Sequence, residues 1–441
     1  MRVADPIPGP LGRRRLPGRL QWRLWIEPPL ALLLSFLPRA IDLAASGLLL
    51  VLASPAWAAA AGLAFVRTGR VFDRAERIGL FHVPFEQLRF AGEAPGAGLA
   101  VLLNVLRGDM ALVGPRPLPR QEAEALGPEY ALRFALRPGL VSPFALRRKV
   151  GIAYDGEARS DLEFYYGETA QGNLGLGARF LIGQVLAGGA ERPAPAELDF
   201  FGVTIANTTM DEALDWIAGR VRNRQPGQLA FVNPDCLNIA FRHEAYRHTL
   251  QTAARVLPDG IGIHLGCRIL GVALRENVNG TDLFPRLCER AAGEGLSLYL
   301  LGARPGIAAA AAAEMQRRYP ELKIAGSRDG YFSAEETGAA IDAINRSRAD
   351  ILLVAFGAPR QELWIAEHAA ELATAVRMGV GGLFDFYSGR IPRAPLWMRE
   401  IGLEWVYRLM QEPGRMWRRY VIGNPLFLFR VWRQRLQGTN P

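Results

Sequence analysis

Cysteine and lysine are scarce in this chain, and no Asp-x-Asp pair occurs in its 441 residues. The three cysteines, Cys236, Cys267 and Cys288, lie far apart in apolar contexts. That pattern excludes a disulfide framework or a zinc site and implies reduced structural thiols of a cytoplasmic compartment. Lys149 and Lys323 are the only lysines, so the formal net charge of +9 rests almost entirely on arginine. Such an excess favours an anionic surface or substrate. No nucleic-acid recognition motif accompanies it, so no nucleic acid partner is expected. The missing Asp-x-Asp removes a common device for holding a divalent cation on a diphosphate, and no metal or other cofactor is expected. No secretory signal is expected either, because the apolar run starts late and has no convincing cleavage site.

The length suits two or three domains, and the 50% hydrophobic content suits large cores. Residues 1–35 form a basic, Pro- and Gly-rich lead. Residues 43–65 carry no charge and are about long enough to span a bilayer. Ser54-Pro55 falls in their middle, where proline kinks a helix. A kinked span and a re-entrant helix both fit. Arginines at 13, 14, 15, 19 and 23 precede the run and assign this flank to the cytoplasmic side. Residues 36–190 are expected to form a membrane-associated domain and residues 191–197 a linker. Residues 198–390 read as a second domain, and residues 391–441 as a basic, aromatic tail.

In the second domain, apolar β-rich runs alternate with Ala-rich helical runs. Strands are expected at 229–232, 296–301, 350–356 and 374–380. Helices are expected from 233 to about 248, at 305–319 and at 361–372. This alternation predicts an α/β fold, a Rossmann-like parallel sheet with helices on both faces. Ligands of such sheets bind at the carboxyl ends of the strands.

Several clusters fall at those ends. Gly302 belongs to a Gly-rich turn that opens a helix and presents free amides to a diphosphate. Asp259, held between Pro258 and Gly260 after an apolar helix, is either a general base or a loop-stabilising turn residue. Asn279, Gly280, Thr281 and Asp282 offer hydrogen-bonding groups to a sugar or nucleotide, or merely cap a helix. Gln361 carries an amide able to read uracil or a sugar hydroxyl, and Glu362 suits the first turn of a helix. Asp385 is either a structural or a supporting carboxylate. From Arg390 onward the chain has ten arginines, three glutamates and no lysine or aspartate. Trp405, Trp417, Phe427, Phe429 and Trp432 interleave with them, as on a segment lying on an anionic membrane. A packed helix pair with a solvated basic face is the alternative.

Pro258-Asp259-Gly260, Asn277-Val278-Asn279-Gly280-Thr281-Asp282 and Pro359-Arg360-Gln361-Glu362, in this order, resemble the WecG/TagA/CpsF glycosyltransferases over residues 197–425. The resemblance implies inverting transfer from a UDP-sugar to a polyprenyl-diphosphate-linked saccharide, in exopolysaccharide or cell-envelope glycan assembly. It implies Asp259 as the base, with Arg408, Arg415 and Arg418 folded over the active site. Substrate contacts are implied for Asn233, Asn279, Gly280, Thr281, Asp282, Gly302 and Gln361. Relatives often have Thr-x-Asn where this chain has Phe231-Val232-Asn233. Many also have an arginine where Asn277 stands, and Arg275 is a candidate replacement.

Asn104-Val105-Leu106-Arg107-Gly108-Asp109-Met110, Val113-Gly114-Pro115-Arg116-Pro117 and Arg137-Pro138-Gly139 resemble the bacterial sugar transferases, monotopic phosphoglycosyl transferases. Arg39, Asp42 and Ser54-Pro55 fit the same pattern. That family's Asp-Glu dyad falls here on Ala97 and Gly98, neither of which is a nucleophile. Glu93 is a conceivable substitute without an acidic partner. Arg116 matches a nucleotide-contacting arginine, or pins its own turn. The expected protein is an enzyme of the bacterial inner membrane, on the cytoplasmic face. Its partners are a UDP-sugar, the lipid-linked acceptor and anionic lipid, with a homo-oligomer left open. Two alternatives stand beside it: a bifunctional enzyme that also transfers phosphosugar to polyprenyl phosphate, and a non-catalytic membrane scaffold.

Overall fold

The computed structural model describes residues 39–92, 97–149, 152, 156–167, 193–400 and 402–438. The basic lead, Glu93 and the linker up to residue 192 lie outside them. The chain divides into two compact units, the first within residues 1–143 and 158–177 and the second within 144–157 and 178–441.

The first unit opens with two helices, Arg39–Leu52 and Ser54–Thr68, bent 71° at the break. Pro55 stands in the first turn of the second helix, where its missing N–H leaves no bond unmade. Among the described residues no single helix is long and apolar enough to cross a membrane, although the bent pair passes that test together. A hairpin follows, β1 (Phe72–Ile78) with β2 (Pro84–Phe90), antiparallel. Trp57 packs edge-on against Phe90, which stacks on Phe72. Two short parallel strands, β3 (Ala111–Val113) and β4 (Gly139–Val141), complete the unit. Fully buried Asn104 clamps it together. Its Oδ1 accepts from Leu88 N at 2.9 Å, and its Nδ2 donates to Glu86 O at 2.7 Å and Asp109 Oδ2 at 3.1 Å. Arg39 donates to the carbonyls of Val105 and Leu106, and Asp42 accepts from Leu112 N. Asn104, Arg39 and Asp42 of the family-like motifs thus hold this half together.

The second unit contains an antiparallel hairpin, β5 (Glu197–Phe200) and β6 (Val203–Ala206). Its centre is a parallel sheet of six strands: β7 (Gly227–Val232), β8 (Arg255–Pro258), β9 (Ser297–Gly302), β10 (Lys323–Arg328), β11 (Ile351–Ala355) and β12 (Val376–Gly379). They lie in the order β10-β9-β11-β12-β7-β8. The α/β sheet is thus as expected, and β7, β9, β11 and β12 end within about two residues of the strands read from the sequence, whereas β8 and β10 were not anticipated. Alternate residues of every strand but the edge strand β10 bury on opposite faces. Leu229, Phe231, Leu298, Leu300, Leu353 and Met378 join the helices Met210–Arg222, Gly280–Glu294 and Ile307–Arg318. Ala230, Val232 and Val256 face the helices Pro234–Ala240, Glu244–Thr252 and Ile261–Leu270.

Three local expectations change. The helix drawn from 233 to 248 is two, because His243 breaks it and caps the second, accepting from Tyr246 N at 3.1 Å. Asp259 follows strand β8 and not a helix. The last helix, Gly423–Leu436, is no surface appendage: Phe427 and Val431 are fully buried with Phe200, Ile263 and Cys267. Gly266 allows that contact, since a Cβ there would lie 2.8 Å from Phe200 and 3.1 Å from Phe427.

Candidate active site

The ends of four adjacent strands build one cleft. Asn233 follows β7, Asp259 follows β8, Gly357 and Gln361 follow β11, and Gly379-Val380-Gly381 closes β12. The cleft has two lobes of about 140 and 320 Å³. Asn233, Asp235, Asp259, Thr281, Phe386, Arg408 and Arg419 line both.

Asp259 is pinned by backbone bonds. Its N–H donates to Val232 O at 2.8 Å, carrying the ladder one residue past the strand. Gly260 takes φ +93°, which glycine adopts without strain, and its N–H donates to Asn277 Oδ1 at 2.6 Å. Gly262 lies against Pro234, where a Cβ would come within 2.3 Å of the ring. Asp259 keeps part of its surface open to the cleft. The surrounding protein nevertheless desolvates its carboxyl, which raises the pKa above the ordinary carboxylate value. The charges of Arg419 and Arg408 and the Asn233 side chain oppose that rise. Asn233 Oδ1 itself caps the next helix, accepting from Asp235 N and Cys236 N at 3.1 Å each.

In the Asn279–Asp282 cluster, two side chains are committed to the fold. Asn279 caps its helix, accepting from Asp282 N at 2.8 Å and donating to Asp282 Oδ2 at 2.8 Å. Asp282 also pairs with Arg393 at 2.5 Å, and Arg393 with Glu404 at 3.2 Å. This chain of charges ties the start of the C-terminal segment to the sheet domain. Gly280 faces the larger lobe and Thr281 faces both.

Gln361 borders the larger lobe as a staple. Its Oε1 accepts from Gly357 N at 3.0 Å and Gly381 N at 2.9 Å, joining the loops after β11 and β12. Its Nε2 donates to Glu362 Oε1 at 2.6 Å. Only Gly379 lets this pair approach, because a Cβ would lie 2.7 Å from each side chain. Glu362 is not a solvated first-turn residue: it is fully buried, and desolvation lifts its pKa to about 7. Gly302 and Arg418 border neither lobe. Gly302 serves packing, with φ +124° and the Ala355 backbone within 2.7 Å of any Cβ. Arg275 is held by Glu212 in two bonds of 2.6 and 2.7 Å and does not line the cleft. Asp385 pairs with Arg390 at 2.6 Å.

The C-terminal helices roof the cleft. Arg408 lies over the Phe386 ring at 5.0 Å and lines both lobes, while Arg415 borders the larger one. Residues Arg418–Ile422 form a π-turn, closed by Gly423 N on Arg418 O. In this turn Arg418 lies exposed over Trp417 at 5.8 Å. Arg419 enters the cleft instead, 3.4 Å from Asp235. A carboxylate facing two arginines can accept a proton while the cations stabilise a leaving anion.

Residues 198–441 match the Glycosyl transferase WecG/TagA/CpsF family, and residues 98–179 match the Bacterial sugar transferase family. The chain belongs to the WecG/TagA/CpsF family. It is similar to an N-acetylglucosaminyldiphosphoundecaprenol N-acetyl-beta-D-mannosaminyltransferase of Staphylococcus aureus (strain MW2). The two are 30% identical over 243 residues, 55% of this chain and 94% of the relative. An enzyme of the same name from Bacillus subtilis (strain 168) is 31% identical over 218 residues, 49% of this chain and 84% of the relative.

This glycosyltransferase therefore places Asp259, Asn233, Asn279, Gly280, Thr281, Asp282, Gln361, Arg408 and Arg415 around one cleft. Sequence reasoning missed Asp235, Glu404 and Arg419. No spacing rule announces a π-turn, so the Arg418-Arg419 doublet did not reveal which arginine faces inward. In the first unit the Bacterial sugar transferase match begins at Gly98. Ala97 and Gly98 sit in a short 3₁₀ turn, and neither residue type brings an ionisable group to it. Arg116 is paired with Glu122.

Proposed function

We propose that the chain moves a sugar from a UDP-sugar to a polyprenyl-diphosphate-linked saccharide, with inversion, in exopolysaccharide or cell-envelope glycan assembly. The observation that carries this reading is the desolvated Asp259 carboxyl facing Arg408 and Arg419 where four strand ends meet. The acceptor hydroxyl oxygen attacks the anomeric carbon of the donor. The bond from that carbon to the diphosphate oxygen breaks, and UDP leaves with the electron pair. The hydroxyl proton passes to Asp259. Arg408, Arg415 and Arg419 face the developing diphosphate charge. Asn233, Gly280 and Thr281 border the space for the donor. The names of the relatives make N-acetylmannosamine and N-acetylglucosaminyl-diphosphoundecaprenol the first pair to try.

The first unit is an anchor in this reading, on the cytoplasmic face of the inner membrane. The bent helix pair and its exposed Leu48, Leu49, Val51, Leu52, Phe65 and Val66 support that placement. Tethering beside the lipid pool raises the effective concentration of a membrane-bound acceptor. Ala97 and Gly98 at the dyad position speak against a second, phosphosugar-transfer activity. The test is an assay of the full chain with a UDP-sugar panel and short-chain lipid-diphosphate acceptors. Release of UDP with a product one sugar longer is expected. No transfer from any donor, or transfer unchanged by Asp259→Asn, would overturn the reading.

A further inference from the structure

A second cavity of about 450 Å³ opens at the other end of the same sheet. Pro226, Asp350 and Ala375, just ahead of β7, β11 and β12, mark its position at the amino ends of those strands. Its volume falls in the range of small-molecule sites. Three arginines line it: Arg224, Arg348 and Arg377. Arg377 belongs to β12 and is only 5% exposed. One nitrogen donates to Leu372 O at 2.5 Å, while Nε is buried without a protein acceptor. The Thr374 hydroxyl in the same wall is also buried without a protein partner. None of the three arginines forms an ion pair among the described residues.

The local charges do not balance. Asp350 is the only carboxylate in the lining, and its Oδ2 is taken by Ser297 N and Oγ at 2.8 Å each. Two helices, Met210–Arg222 and Thr337–Ser347, end beside Arg224 and Arg348. Each helix terminus carries roughly half a negative charge. Together the termini offset about one arginine and Asp350 another, which leaves the buried Arg377 uncompensated. A buried cation without a counter-charge is costly, and planar guanidinium groups bind oxyanions with charge-assisted bonds. Asn345 adds no recognition group, since its side chain is spent on Glu371 O and Ala373 N.

We propose that this cavity binds a small phosphate-bearing anion, at a site separate from the transferase cleft. Arg377 and Thr374 form its floor, and Arg224 and Arg348 close over the ligand from the rim. Free phosphate and a phosphate ester share this chemistry.

The test uses the full chain, with inorganic phosphate titrated by calorimetry and by thermal unfolding. Arg408→Ala is titrated beside the parent, so that any phosphate bound in the transferase cleft shows as a difference between the two. Phosphate is expected to bind and to raise the unfolding temperature. The double change Arg224→Gly and Arg348→Gly should weaken binding by at least about tenfold. Both residues hold positive φ, +48° and +53°, so glycine relieves the backbone there and the fold survives. Arg377→Met should stabilise the phosphate-free chain and abolish its response to phosphate. Displacement of phosphate by uridine monophosphate would assign a phosphate ester as the occupant, and failure to displace it the free ion. No phosphate effect at millimolar concentration would overturn the proposal. So would an effect that survives the double glycine change and disappears in Arg408→Ala.

Discussion

Glu362→Gln should make this protein more stable at alkaline pH and leave it nearly unchanged at acid pH. Glu362 is fully buried behind the cleft and bonded through Oε1 to Gln361, with the buried Tyr246 hydroxyl beside it. Burial moves its pKa from 4.5 to about 7. At roughly 1.4 kcal/mol per pH unit, the ionised form is penalised by about 3 kcal/mol in the folded state. The sign follows from proton binding. Below about pH 4.5 the carboxyl is protonated in folded and unfolded chains alike, and no penalty exists. Between that pH and about 7 the folded chain holds a proton that the unfolded chain has released, so stability falls as pH rises. Above it the full penalty applies. A neutral amide keeps the oxygen that Gln361 needs and never ionises. The variant should therefore gain up to about 3 kcal/mol above neutrality, roughly 5–10 °C in unfolding temperature. Thermal unfolding of both proteins across a pH series measures this. A gap that does not grow with pH, or a variant less stable above neutrality, would refute the account of Glu362.

Asp259→Asn should lower turnover at least about a hundredfold while UDP still binds. In the parent enzyme, turnover should fall on acidification at a pH above the ordinary carboxylate range, since desolvation raises the Asp259 pKa. Arg408→Ala, Arg415→Ala and Arg419→Ala should each cost roughly 10–1000-fold in turnover, whereas exposed Arg418→Ala should stay near the parent rate. Equal losses at 418 and 419 would contradict the orientation set by the π-turn. With polyprenyl phosphate as acceptor and Mg²⁺ present, no UMP should be released from any UDP-sugar. UMP production that depends on residues 1–190 would revive the bifunctional reading. Gly266→Ala should destabilise the second unit by about 1–3 kcal/mol, because its Cβ meets Phe200 and Phe427. An unchanged unfolding temperature would show that these rings can move aside.

Much of the fold was legible because its signals are local. Short apolar runs such as 296–301 and 350–356, each followed by an Ala- or Glu-rich helical run, specify strands buried on both faces. Polar and glycine clusters at the ends of apolar runs, read together with the family resemblance, brought Asp259, Asn279 and Gln361 to one site, although Asp259 was expected after a helix and follows β8. What escaped depends on bonds between distant residues. Asp282 and Gln361 read as ligand contacts, but Arg393 and the amides of Gly357 and Gly381 hold them. Arg275 looked free until Glu212, 63 residues away, took it. The Gly423–Leu436 helix reads as a basic surface segment, because most of its side chains are polar or aromatic. Only its packing on Gly266 shows that Phe427 and Val431 complete a core.

The alternation of strands with helices and of buried faces follows from periodicity and composition, which act over a few residues, and the rim residues from the family resemblance. Which arginine faces Asp259, and which side chains remain free for a ligand, depend on tertiary packing. A charged side chain is free only when no distant partner claims it, and the partners are brought together by the sheet order β10-β9-β11-β12-β7-β8. The π-turn at Arg418–Ile422 turns one arginine inward and its neighbour outward. That choice lies in the register of one helical turn, and nothing in the Arg418-Arg419 pair itself distinguishes the two.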